Sequence, residues 1–122
     1  MTDRQIIEEA LWFLVENYGF NYNYECVNNG AIYFRYHNQY GSFTYYRWAQ
    51  FQEEEFFVKY NEFYRSVDFS SLHPKEFYSF IKMHKGIRWF FKDKRKDYWN
   101  MIAQFIKVEI ENTKTLFGIK LE

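Results

Sequence analysis

The sequence predicts an α+β fold. It comprises an N-terminal helix, an antiparallel meander of three to four strands, and C-terminal helices packed on one sheet face. Three observations lead there. Apolar residues recur at helical spacing up to Tyr18 and again after Pro74. Between these stretches the chain alternates apolar and polar residues with a period of two. The turns separating the alternating runs are short, and short turns join only antiparallel neighbours.

The first element reads as a helix over residues 3–18. Thr2-Asp3-Arg4-Gln5 fits a capping box, with Asp3 at the positive end of the helix dipole. Ile7, Ala10, Leu11, Leu14 and Tyr18 form one buried face, and Gly19 stands where a left-handed stop is expected. Phe20, Tyr22 and Tyr24 then alternate with Asn21, Asn23 and Glu25. Asn28-Asn29-Gly30 is a hairpin signal, because these residues tolerate the positive φ of tight turns. Ala31–Tyr36 resumes the alternation, with Ile32, Phe34 and Tyr36 on one face. A turn follows through Asn38 and Gly41. In Ser42–Phe51, Phe43 and Tyr45 share one face while Tyr46 and Trp48 take the other. Gln52-Glu53-Glu54-Glu55 reads as a polar break, and Phe56–Tyr60 as a short strand.

Helical spacing returns beyond Phe69. Ser70-Ser71 and Pro74 give a start, Phe77, Phe80, Ile81 and His84 a face, and Gly86 a stop. Ile87–Phe91 suits strand or helix. Trp99, Ile102, Ile106 and Ile110 predict a helix over about 95–109. Leu116–Leu121 reads as a last strand or a docked extension.

The chain has 122 residues, one domain's worth. Its aromatic share is 25%, which makes a compact core easy to build and leaves tyrosines over for the surface. Charge is balanced overall but segregated. Residues 1–74 carry a net −5 and residues 75–96 a net +6. The single cysteine, Cys26, allows no internal disulfide, which fits a reducing compartment. No signal-peptide pattern or spanning apolar run is visible, so a cytoplasmic location is expected, with no membrane partner.

Candidate chemistry is sparse. His37, His73 and His84 match no metal-ligand spacing, so neither metal nor cofactor is predicted. Cys26 and His37 are the one Cys/His pair on neighbouring strands, and Cys26 is read as a core residue. The five glycines stand singly, unlike a phosphate-cradling loop. Lys82, Lys85, Arg88, Lys92, Lys94, Arg95 and Lys96 interleave with Trp89, Phe90 and Phe91. Phosphates and bases reward that mixture, so nucleic-acid binding through residues 82–96 is an alternative. A second is a small enzyme or ligand binder whose site assembles from distant residues, with His37, Asp68 or His84 at its centre.

Tyr18-Gly19-Phe20, Ile32-Tyr33-Phe34-Arg35-Tyr36, the turn through Asn38 and Gly41, Trp48-Ala49-Gln50-Phe51, the acidic run and Phe56-Phe57-Val58 together have a recognisable texture. Over residues of about 10–70 the chain resembles small bacterial immunity proteins of polymorphic toxin systems. The resemblance implies a non-enzymatic protein that binds a cognate toxin by surface complementarity, and it assigns no residue a role. The residues themselves point the same way. Tyr45, Tyr46 and Trp48 beside Glu53, Glu54 and Glu55 form the expected partner-binding set, since aromatic anchors near charges dominate interfaces. A homodimer through exposed aromatics or a sheet edge is a further expectation.

Overall fold

The computed structural model describes residues 2–27, 30–48, 53–86 and 94–121, with side chains throughout except at 83–86. Helix α1 (Asp3–Leu11) opens on the predicted capping box. The Gln5 amide donates to Thr2 Oγ1 at 3.2 Å, and the Thr2 amide donates to Gln5 Oε1 at 2.8 Å. The predicted single helix is interrupted at Trp12, whose amide donates to the Glu9 carbonyl three residues back. Trp12 keeps right-handed dihedrals, so α2 (Phe13–Tyr18) continues nearly the same path. Gly19 ends it at φ 72°, as expected.

Five antiparallel strands follow in sequential order: β1 (Asn21–Cys26), β2 (Ala31–Asn38), β3 (Gly41–Trp48), β4 (Glu53–Tyr60) and β5 (Phe63–Val67). Two differences from the sequence reading stand out. Glu53-Glu54-Glu55 is no turn. It is the first third of β4, opposite Trp48, Arg47 and Tyr46. The meander also gains a fifth strand, because Asn61 and Glu62 both adopt positive φ and close a tight hairpin. A short helix α3 (Phe69–Leu72) is capped by Asp68, whose carboxylate accepts from the Ser70 amide. Then come α4 (Pro74–Gly86), α5 (Lys94–Thr113) and a tail hairpin of β6 (Thr115–Leu116) and β7 (Ile119–Lys120). The ambiguous segment 87–91 and the turn residues Asn28 and Asn29 lie outside the described residues.

Strand alternation sends Phe34, Tyr36, Phe43, Tyr45, Phe56 and Val58 to one face, all buried. Against them lie Ile7, Leu11 and Leu14 from α1 and α2, and Trp99, Ile102 and Ile106 from α5. Each fully buried side chain of this size contributes about 1.5–3 kcal/mol. The rings mesh edge to face. Tyr45 lies 4.6 Å from Trp99, and Phe56 lies 4.9 Å from Phe69. Helix α4 joins this layer through Phe77 and Phe80, whose rings meet Tyr98 of α5.

The tail hairpin docks on the ends of β2–β5. Arg65 donates to the Phe117 carbonyl and Asn38 to the Lys120 carbonyl, each at 2.8 Å. Gly118 holds φ 102° with the Tyr60 ring directly over it, so a Cβ there would clash with the Cζ and hydroxyl oxygen of Tyr60. Gly30 also holds positive φ, but over open space. Gly118→Ala therefore adds overpacking to backbone strain and is expected to cost about 2–4 kcal/mol, against about 1–2 kcal/mol for Gly30→Ala. Urea unfolding of the two variants checks the order. Equal losses would mean that the tail yields freely to the ring.

Candidate functional site

The sheet has two unlike faces. Contacts from α1, α2, α5 and the tail hairpin all land on the face of Phe34 and Tyr45. Trp12 meets Tyr22, Arg4 stacks on Tyr24, Trp99 meets Tyr45, and Phe117 meets Phe43. Among the described residues, no such contact lands on the opposite face.

The register places four rows on that uncovered face. The row nearest the β2–β3 turn is Asn21, His37, Ser42, Lys59 and Tyr64. The next is Asn23, Arg35, Thr44, Phe57 and Ser66. Then come Glu25, Tyr33, Tyr46 and Glu55, and last Ala31, Trp48 and Glu53. Tyr33, Tyr46, Trp48 and Phe57 are half-buried, and Tyr64 is 55% exposed. Two ring pairs run across the strands, Tyr33 with Tyr46 and Phe57 with Tyr64, each at 5.1 Å between centroids. At the centre Thr44 is fully buried by its taller neighbours, and its hydroxyl has no partner among the described residues.

Charge on this face is polarised along the strands. Glu25, Glu53 and Glu55 occupy the end beside Trp48, while Arg35, His37 and Lys59 occupy the other. Glu55 accepts from the Tyr64 hydroxyl at 2.8 Å and from the Ser66 hydroxyl. That hydrogen bond, then burial, raises the Tyr64 phenol pKa. Burial, with Tyr33, Glu53 and Glu55 nearby, raises that of Tyr46. Glu25, Glu53, Arg35 and Lys59 make no ion pair among the described residues.

The expected partner-binding set is thus divided by strand parity. Tyr46, Trp48, Glu53 and Glu55 share the uncovered face. Tyr45 and Glu54 lie on the helical side instead, where burial puts Tyr45 out of a partner's reach, a correction to that expectation, while Glu54 stays exposed. Tyr45 is a core residue, 1% exposed, and its hydroxyl donates to Glu54 at 2.6 Å. Glu54 also accepts from Tyr98 at 2.7 Å. Beside them Asp3 takes Arg47 at 2.9 Å and Arg95. Burial of Asp3 acts to raise its pKa, but the two guanidinium groups outweigh it and hold the carboxyl below its ordinary value. These charges knit the first turns of α1 and α5 to the ends of the interior strands β3 and β4. Sequence reasoning missed Tyr33, Phe57 and Tyr64, although Phe57 stands out of phase with Phe56 and Val58.

Comparison with protein-family models, curated proteins and solved structures finds no match.

The other candidates disperse. Cys26 is exposed at the end of edge strand β1, which corrects its reading as core. It also lies on the opposite sheet face from His37 and at the far end, so the two form no pair. His37 and Asp68 fall at opposite ends of the sheet, and the His84 side chain lies outside the described residues. Of the basic stretch, Lys82 and Lys96 are exposed, Arg95 is engaged by Asp3, and Lys94 begins α5. Arg88, Lys92 and the side chain of Lys85 lie outside the described residues.

Two consequences are measurable. Burial, the Glu54 charge and its hydrogen bond push the Tyr45 and Tyr98 phenols far above their ordinary value, and burial does the same for Tyr36. A raised folded-state pKa means stability that is whole below the unfolded value, about 10, and is lost as pH rises past it. Phenolate absorbance of these three tyrosines is expected to appear together with unfolding above about pH 10, and early, non-cooperative ionisation would contradict their burial. Glu54→Ala is expected to cost about 1–2 kcal/mol by stranding the Tyr45 hydroxyl, whereas Glu53→Ala stays within about 0.5 kcal/mol.

Proposed function

We propose that this protein is a non-enzymatic protein-binding module and that its docking surface is the uncovered sheet face. One observation carries the reading: Tyr33, Tyr46, Trp48, Phe57 and Tyr64 lie together on a face that no other described element covers. Tyrosine and tryptophan anchors in that setting are what interfaces use for affinity, since each ring brings large apolar area with little side-chain entropy to lose. A rigid sheet presents them without prior ordering, which lowers the cost of association.

The partner suited to the Trp48 end is basic. Glu25 and Glu53 have no ion pair among the described residues, and Glu55 is held in place by Tyr64 and Ser66. A bacterial toxin of the kind that immunity proteins neutralise has the required character, as a protein recognised by surface complementarity. What favours binding over catalysis is the scatter of reactive groups. What favours a protein over a nucleic acid is the row of carboxylates among the rings, which would repel phosphates.

The test is affinity capture from the native host, followed by titration of the captured protein in purified form. Tyr46→Ala combined with Trp48→Ala is expected to weaken that partner at least about a hundredfold, with the thermal melt showing an intact fold. Lys82→Glu is expected to leave affinity unchanged. Equal binding by the double variant would remove the sheet face from consideration. Tight, steeply salt-dependent binding of a labelled single-stranded oligonucleotide, with no protein partner, would replace the reading by the nucleic-acid one.

A further inference from the structure

We infer that the uncovered face also pairs with a second copy of this chain, sheet against sheet, in one orientation. The inference rests on the reading of that face as a docking surface, and names self-pairing as its resting state. Sheets stack face to face about 10 Å apart with strand directions within about 30° of each other. A two-fold axis that brings like faces together must lie in the plane between them, either along the strands or across them. The charge layout selects between these two.

An axis along the strands lays each end on its own kind. Strands then exchange about β3 within each row, so Glu25 would lie beside Glu55 of the second copy at the shared acidic end, and like charges juxtaposed in an interface cost several kcal/mol. An axis across the strands reverses strand direction and leaves each strand facing its counterpart. Rows then exchange, the acidic end of each copy lying over the basic end of the other. In this orientation Glu53 comes opposite the β4 partner position of Lys59 in the second copy, and Tyr33 opposite Arg35. The first is an ion pair made twice, the second a cation–π contact made twice. None of these charged groups has an ion pair within its own chain among the described residues.

Size is adequate. Five strands about 4.8 Å apart and four rows about 6.8 Å apart cover roughly 500 Å² in plan, so two copies bury on the order of 1,000 Å², the lower bound of a specific interface. The centre is fitted to it, with Tyr46, Phe57 and fully buried Thr44 around the proposed axis. An interface of this modest size is reversible, so a tighter partner on the same rings displaces the second copy.

The experiment is sedimentation equilibrium of the full chain over a wide concentration range. The wild type is expected to dimerise. Glu53→Lys alone sets two Lys–Lys contacts in the dimer, and Lys59→Glu alone sets two Glu–Glu contacts. Each is expected to weaken the dimer at least about tenfold. An equimolar mixture of the two variants pairs opposite charges at both contacts and is expected to recover wild-type association as a heterodimer. Both positions are exposed, and thermal melts confirm folding of each variant. A chain that stays monomeric, or a dimer that neither variant weakens, or a mixture that fails to recover, overturns the inference. Those outcomes leave partner docking intact if Tyr46→Ala with Trp48→Ala still abolishes it. A charge-swappable dimer whose partner ignores that double variant sinks the docking reading alone.

Discussion

Trp99 of α5 lies against both Tyr45 and Phe56, at 4.6 and 5.7 Å between ring centroids. This contact decides which side of the sheet becomes interior. Side chains on a strand alternate strictly, so fixing Tyr45 and Phe56 inward also fixes Tyr46 and Phe57 outward. Register then propagates the choice to β1, β2 and β5 without further instruction. The uncovered aromatic face is thus a geometric consequence of how the core closes. Among the described residues, five strands and one helical layer leave one side over, and this sequence places rings on that side where an ordinary exposed face carries polar residues.

The helical layer is bounded by hydroxyl–carboxylate contacts that have a common logic. Tyr22 donates to Glu8, Tyr45 and Tyr98 donate to Glu54, and Arg4 bridges Glu8 and the Tyr24 ring. In the first three, a tyrosine spans from the apolar interior to the rim, where its hydroxyl finds a charged acceptor, while the Tyr24 ring takes a cation on its face. Tyrosine suits a core that must end abruptly at water. The high aromatic share is therefore divided between two tasks, filling the interior and surfacing the open face. The division follows strand parity, not residue type, since Tyr45 and Tyr46 are chemically identical neighbours with opposite fates.

Much of this was legible in the sequence. The capping box, the Gly19 stop, the alternation through β1–β3 and the stripe of α5 all rest on local periodicity, which survives folding unchanged. The fifth strand was not legible, because its turn uses Asn61 and Glu62 at positive φ. Glutamate rarely takes that conformation, so no turn signal marks it. Cys26 shows a different limit. Its residue type argues for burial, but it ends an edge strand beyond the reach of the helices, and position outweighs propensity.

Glu53-Glu54-Glu55 shows why the candidate site was only half legible. Read as a block, three consecutive carboxylates are a solvated break. Placed in β4, the outer two point to the open face, while the middle one turns to the helical side and takes two tyrosine hydroxyls. The same parity separates Tyr45 from Tyr46 and Phe56 from Phe57. A functional surface on a sheet is drawn from every second residue of several strands, so its members are never contiguous in sequence. Composition can reveal that rings and charges are plentiful, but only the phase of each strand, set here by Trp99, says which of them a partner can touch.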